Sequence, residues 1–456
     1  MYSVSFKDRL NKFNNYVVII YAMLFIASST IVAKFCGAWI ERLEVVIGIA
    51  ILGLYLINIF TDKKIALKNV LLENIIAIVY LCFRAYTLYK LHLDYSTLRT
   101  IFFETVYLLC ISRYILGNVE NMKCLFKYLI GTNLILNIAN LVMFFALNQV
   151  PGLYKSAVKY TFLNTDTNYI YSALYPNPNT MGIMTTFSIL CAFILYRKTE
   201  TYSLVYRAIY LVISLISIYI SGCRAAEIAL LVTLLAYIII KLLHINKLKL
   251  IVGLCLISSI IFVAGISGYI SSQYDRDIMY ISETEIKLDN LSTGRYMIWK
   301  SGYFAHREKL LSGVGSLHNE IKQRDGYVVN HFKENHTDLG EHNRLKLGPH
   351  NGYIGMIWCT GVVGALLFFL ALLQKIKRAK SLENGNWYLT VIFIFIVNLF
   401  ETMFIISRFF LVLYLFLILA MDDDSETYAE GSSIENPENI ADSDSIKKSI
   451  ECTQEV

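Results

Sequence analysis

Apolar and polar positions alternate along this chain in long blocks. Apolar stretches recur at 16–36, 43–60, 70–89, 98–116, 125–147, 178–196, 204–221, 224–243, 248–268, 351–373, 387–405 and 408–421. A helix of about 20 apolar residues crosses the ~30 Å hydrocarbon core of a bilayer. In lipid, only a helix or a closed barrel satisfies its own backbone. The pattern predicts an all-α polytopic membrane protein with about twelve transmembrane helices. The third and fourth stretches fit least well, because Arg84 lies inside one and their flanks are rich in Tyr.

Polar segments divide the chain further. Helices one to nine fill 1–268, a large polar loop fills 269–349, and helices ten to twelve fill 350–421. The loop is expected to contain short helices, and a connection of this length is usually functional. Beyond Met421 the chain is acidic and rich in Ser, Asn and Asp, so 422–456 is expected to be a disordered tail.

Charge sets the orientation. Lys7/Arg9/Lys12, Lys63/Lys64/Lys68, Arg113/Lys123/Lys127, Arg197/Lys198/Arg207, Lys241/Lys247/Lys249 and Lys375/Lys377/Arg378/Lys380 fall in alternate connections. The positive-inside rule makes that set, and both termini, cytoplasmic. The large loop, the segment 148–177 and the turn at Ser221-Gly222 then face outward. Nothing after Val17–Ala33 resembles a cleavage site, so no removable signal is expected there.

Composition agrees. Of 456 residues, 56% are hydrophobic and 17% charged, against about 25% charged in a soluble domain. The 32 Tyr and 26 Phe suit interfacial anchoring. Nine cysteines show no CxxC spacing, so neither structural zinc nor a disulfide framework is expected. The net charge of +6 is scattered rather than gathered in a patch, so no nucleic-acid partner is expected. The chain has no GxxxxGK[ST], HExxH or GxSxG, the patterns of phosphate-loop, zinc-protease and serine-hydrolase chemistry.

Candidate chemistry clusters on the outward side. Arg224 follows Ser221-Gly222-Cys223 in a minimal turn, with Glu227 one helical step away. Snorkelling to headgroups would explain an Arg there, but its planar fork also suits a phosphate or diphosphate. Arg295 sits in Ser292-Thr-Gly-Arg-Tyr-Met-Ile-Trp299, where Ser or Thr can cap a short amphipathic helix. The bland alternative is an ordinary surface Arg. His350, between Pro349 and Asn351, stands at the start of an apolar span that Asn351 can cap. A neutral imidazole at a helix start can accept a proton from a sugar hydroxyl; a His satisfied structurally is the alternative. Tyr175-Pro-Asn-Pro-Asn179 opens the sixth span, with Asn177 and Asn179 available as caps or contacts. Arg84, Arg408 and Glu401 are further candidates, because ionisable groups at membrane depth are costly, although a Glu401–Arg408 pair could be structural. His306, His318, His331, His336 and His342, with Asp338 and Glu341, have irregular spacings and are expected to be solvated rather than metal-binding.

Taken in order, Asn-Pro-Asn179, Ser-Gly-Cys-Arg224, Ser-Thr-Gly-Arg295-x-x-x-Trp299 and His350-Asn before the glycines Gly361 and Gly364 form a pattern. That order resembles the O-antigen polymerase and O-antigen ligase superfamily of bacterial envelope glycosyltransferases, over about Asn177 to Arg408. The resemblance implies a fold of the glycosyltransferase-C kind with its site under the outward loop, in the bacterial cytoplasmic membrane. It implies a metal-independent, inverting enzyme without a cofactor, acting on an undecaprenyl-diphosphate-linked oligosaccharide as donor and acceptor among membrane lipids. A flippase and a chain-length regulator are the protein partners it suggests. Arg224 and Arg295 would hold the donor diphosphate, and His350 would deprotonate the acceptor hydroxyl. Cys223 departs from the family, which often has Ser there. Polymerisation of repeat units into a capsule, O-antigen or other exopolysaccharide is the first reading, and ligation of a finished glycan to another acceptor the second. A lipid-linked oligosaccharide flippase is the alternative of another class. It would be expected to carry charges deep in several spans and an internal repeat.

Overall fold

A computed structural model describes residues 6–61, 67–90, 94–111, 119–146, 154–157, 169–196, 204–272, 283–292, 294–334, 348–383, 386–404 and 410–421. The chain is overwhelmingly helical. Before the large loop come α1 (Phe6–Ser28), α2 (Val32–Thr61), α3 (Leu67–Lys90), α4 (Tyr95–Thr105), α5 (Val119–Ala146), α6 (Pro178–Tyr196), α7 (Leu204–Ser221), α8 (Arg224–Leu242) and α9 (Leu248–Ser272). The loop holds α10 (Glu283–Leu291), α11 (Arg295–His306) and α12 (Leu317–Glu334). Then follow α13 (Gly352–Arg378), α14 (Tyr388–Val397) and α15 (Phe410–Ala420). One small departure from all-α is an antiparallel pair, β1 (Tyr154–Ala157) and β2 (Tyr169–Ala173), with Ala157 opposite Tyr169.

Among the described residues, eight helices are long and apolar enough to cross a membrane, and α14, α15 and the Phe13–Ser28 part of α1 are apolar but shorter. This is the architecture of a polytopic membrane protein. Of the expected span 98–116, the described part is α4 followed by a π turn over Val106–Cys110, and 112–116 lie outside the described residues. The boundary between the first two expected spans also moves. Ser28, Ser29 and Thr30 turn their hydroxyls back onto the carbonyls of Phe25, Phe25 and Ala27 and end α1. The charged stretch around Glu41, Arg42 and Glu44 is helical, not a connection.

Burial distinguishes centre from periphery. Every residue of α14 is buried, nearly all of α15 is, and α6 is almost entirely enclosed. The outer helices are inverted relative to a soluble bundle. In α7, Tyr210, Ser214, Ser217 and Ser221 face inward. Leu231, Leu235 and Ile238 of α8 face outward. Small polar residues inside and an apolar exterior are what packing in lipid requires.

The loop is bolted to the bundle. Gly361 interrupts α13 with φ +74° and ψ 167°, and chain from Leu310 to Gly315 fills the break. Val314 N donates to Trp358 O at 2.9 Å, Gly315 N to Cys359 O at 2.8 Å, and Val362 N to Leu310 O at 2.7 Å. A side chain on Gly361 would collide with the Leu311 carbonyl. Arg84, fully buried on α3, closes the joint: it donates to Gly315 O (2.7 Å) and Cys359 O (3.5 Å) and pairs with Glu104 (3.1 Å). Backbone freed by a kink is thus re-satisfied inside protein, as membrane depth demands.

Candidate functional site

Glu401 lies in the turn that follows α14, and Asn398 builds that turn. Asn398 Nδ2 donates to Ile394 O (2.8 Å), and its Oδ1 accepts from Phe404 N (3.1 Å). Its carbonyl accepts from Gly352 N at 2.7 Å, and Asn351 Nδ2 donates to Leu399 O at 3.0 Å. Gly352 permits this approach, since a Cβ there would strike Asn398 Oδ1. The Glu401 turn and the start of α13 therefore form one unit.

His350 stands at that start with φ +47°, a left-handed conformation that costs a non-glycine residue about 1–2 kcal/mol. Its neighbours fix it. Trp299 Nε1 donates to Pro349 O at 2.7 Å. Asn351 caps α13, its Oδ1 accepting from Tyr353 N (3.0 Å) and Ile354 N (2.9 Å), as its sequence position suggests.

Arg295 opens α11 after Gly294 (φ +83°). Ser292 Oγ accepts from Tyr296 N (2.9 Å), and Asp289 Oδ1 from Met297 N (3.0 Å). Tyr296, Ile298 and Trp299 are buried, so this helix packs on protein. Burial and the adjacent Glu285 carboxylate push the Tyr296 phenol well up. Asn177 caps α6 through Thr180 N at 2.8 Å, which sets Asn179 on the first turn.

These segments converge on one carboxylate. Glu401 Oε1 accepts from Asn179 Nδ2 (2.6 Å) and from Arg295 Nη2 (3.3 Å). Glu401 Oε2 lies 3.3 Å from His350 Nδ1. The side chains of Arg295, Glu401 and His350 are 20%, 15% and 26% exposed, so the cluster is enclosed but reachable. A proton on His350 Nδ1 donates to Glu401 and leaves Nε2 as the acceptor.

Arg224 begins α8 directly after Cys223. The turn before it uses Gly222 at φ +57°, and Cys223 Sγ donates to Asn179 O at 3.7 Å. A side chain on Gly182 would strike Cys223, so α6 and this turn are in close contact. Cys223 is also within electrostatic reach of Glu401 and Arg295. Burial pushes its thiol up to about 12, which keeps it a neutral thiol and a poor nucleophile.

Arg84 belongs instead to the loop joint, where its partners are Glu104, Gly315 O and Cys359 O. Arg408 lies outside the described residues, as do His336, Asp338, Glu341 and His342. His306 is not solvated: it is buried against Trp358 and lies 3.5 Å from Glu320. Sequence reading also missed a buried ladder on α5. Asn133 Nδ2 donates to Tyr175 Oη (3.0 Å) and Asn137 Nδ2 to Asn133 Oδ1 (3.0 Å), and Asn140 Oδ1 accepts from Leu174 N (3.0 Å). Its signal was present: three Asn at helical spacing in an apolar helix. The ladder pins the chain just ahead of Asn177.

Residues 209–369 match a family model described as O-Antigen ligase. Arg224, Arg295 and His350 fall inside the match, whereas Asn179 and Glu401 fall outside it. No curated protein and no solved structure matches the chain.

Proposed function

We propose that this protein, with its O-antigen ligase domain over residues 209–369, polymerises undecaprenyl-diphosphate-linked oligosaccharide repeat units on the outer face of the bacterial cytoplasmic membrane. The observation that carries the reading is the meeting of Arg295, His350 and Glu401, with Cys223, the residue before Arg224, in contact with Asn179 of the same cluster. Arg224 and Arg295 bind the diphosphate of the growing lipid-linked chain. His350 Nε2 takes the proton of a hydroxyl on the incoming repeat unit. The hydroxyl oxygen bonds to the anomeric carbon from the face opposite the diphosphate, so the configuration inverts. The bond from that carbon to the phosphate oxygen breaks, and its electron pair leaves on the lipid diphosphate. Fixed guanidinium charges stabilise that leaving group and orientation lowers the barrier, so the reaction needs no metal.

A ligase reading is favoured by the description of the matching family. It uses the same site with an acceptor that is not a lipid-linked repeat unit. The size distribution of products separates the two. Purified protein given only the lipid-linked repeat unit is expected to yield a ladder of increasing length. A single transfer that appears only when a separate lipid acceptor is added would replace polymerase by ligase. No transfer in either case would remove both.

A further inference from the structure

Glu401 has no part in the proposed reaction as drawn, yet it touches Arg295, His350 and Asn179 at once. Resting on the reading above, we propose that Glu401 is a positioning residue that hands Arg295 over to the donor diphosphate and thereby commits itself to His350.

Geometry supports an exchange. A carboxylate and a phosphate oxygen compete for the same guanidinium fork. Among the described residues, Glu401 holds Arg295 by a single contact of 3.3 Å to Nη2, and the rest of the fork can meet a second anion. Elsewhere the chain makes tighter, sealed pairs, as between Arg324 and Glu320 at 2.6 Å with both side chains fully buried. The Arg295 contact is longer and partly open.

Asn179 explains why the carboxylate stays when the guanidinium leaves. Its Nδ2, 2.6 Å from Oε1, shares that oxygen with Arg295 and remains as its donor. Asn179 stands on α6, one of the most enclosed helices, so the anchor is rigid. The other oxygen, Oε2, faces His350 Nδ1 at 3.3 Å. With Arg295 engaged by diphosphate, Glu401 keeps its full charge for the imidazole. It holds the Nδ1–H tautomer and stabilises the imidazolium formed when Nε2 takes the acceptor proton.

The handover predicts opposite effects on binding and on turnover, which a merely structural residue would not give. The probe is undecaprenyl diphosphate without sugar, bound to the purified full chain, and turnover is read with the lipid-linked repeat unit. Glu401→Gln removes the competing charge and should bind the probe several-fold tighter, while turnover falls by about 10²-fold or more. In an Arg295→Ala background the same substitution should leave probe affinity unchanged. Glu401→Asp, which keeps the charge, should bind the probe as the native chain does and recover part of the turnover. Equal or weaker probe binding by a folded Glu401→Gln protein, or undiminished turnover, would overturn the handover. If Arg295→Ala alone changes neither binding nor turnover, the assignment of the site itself falls. If Arg295→Ala weakens binding but Glu401→Gln does not strengthen it, only the handover falls.

Discussion

Around Glu401, three polar partners surround a carboxylate that still meets its surroundings. Around Arg84, Glu285 and Glu320 the charges are sealed. Lys300 meets Glu285 at 3.1 Å and Arg324 meets Glu320 at 2.6 Å, all four side chains being fully buried. Arg84 meets Glu104 at 3.1 Å, with 0% and 7% of the side chains exposed. Sealed pairs cannot take a ligand without breaking, and Tyr296 and His306 add to the enclosure of Glu285 and Glu320. The Glu401 cluster has longer ion-pair contacts, of 3.3 Å each, a reachable imidazole and a left-handed His backbone held by Trp299. In a lipid setting both kinds of ion pair are costly. The Arg84 pair holds the large loop to the kinked α13, the other two fasten the loop's own helices, and the open one fits the exchange proposed for the site.

The contrast is broken most forcefully at Arg84. Arg84→Ala leaves Glu104 buried without its cation and removes the donor to the Gly315 carbonyl, and should cost about 3–5 kcal/mol. Thermal unfolding of the detergent-solubilised protein reads this as a large fall in midpoint. An unchanged midpoint would mean that the joint between loop and α13 does not depend on the ion pair. A smaller effect sharpens the open side. Arg224→Lys keeps a charge but loses the planar fork and should lower turnover by about tenfold, about 1.4 kcal/mol, with little change in the unfolding midpoint. Full turnover in that variant would mean that Arg224 acts by charge alone.

Much of this was legible in the sequence, and the exceptions have physical causes. Apolar run length located the helices because the bilayer sets a length scale, and Asn177 and Asn351 could be read as caps because capping is local. Arg224, Arg295 and His350 stood out as polar groups on the side poor in basic charge. The break at Ser28–Thr30 was hidden because hydroxyls that bond back to their own helix look no different from lipid-facing Ser and Thr. The kink at Gly361 depends on a loop about 50 residues upstream in sequence, and glycine spacing alone does not announce it. Glu401 could be named as a candidate but not as the hub. Its partners come from positions 179, 295 and 350, and only the folded bundle brings them together. The loop's buried charges were not legible, because a sequence does not show that Glu285 pairs with Lys300 and Glu320 with Arg324.

The most direct test is a paired measurement on His350→Ala: the rate of glycan transfer from the lipid-diphosphate-linked repeat unit, and the unfolding midpoint of the same sample. Transfer should fall by about 10²–10⁴-fold while the midpoint stays with that of the native protein, since His350 belongs to the open cluster. Native transfer by a folded His350→Ala protein, or a collapse of the midpoint like that expected for Arg84→Ala, would contradict the assignment of chemistry to this site.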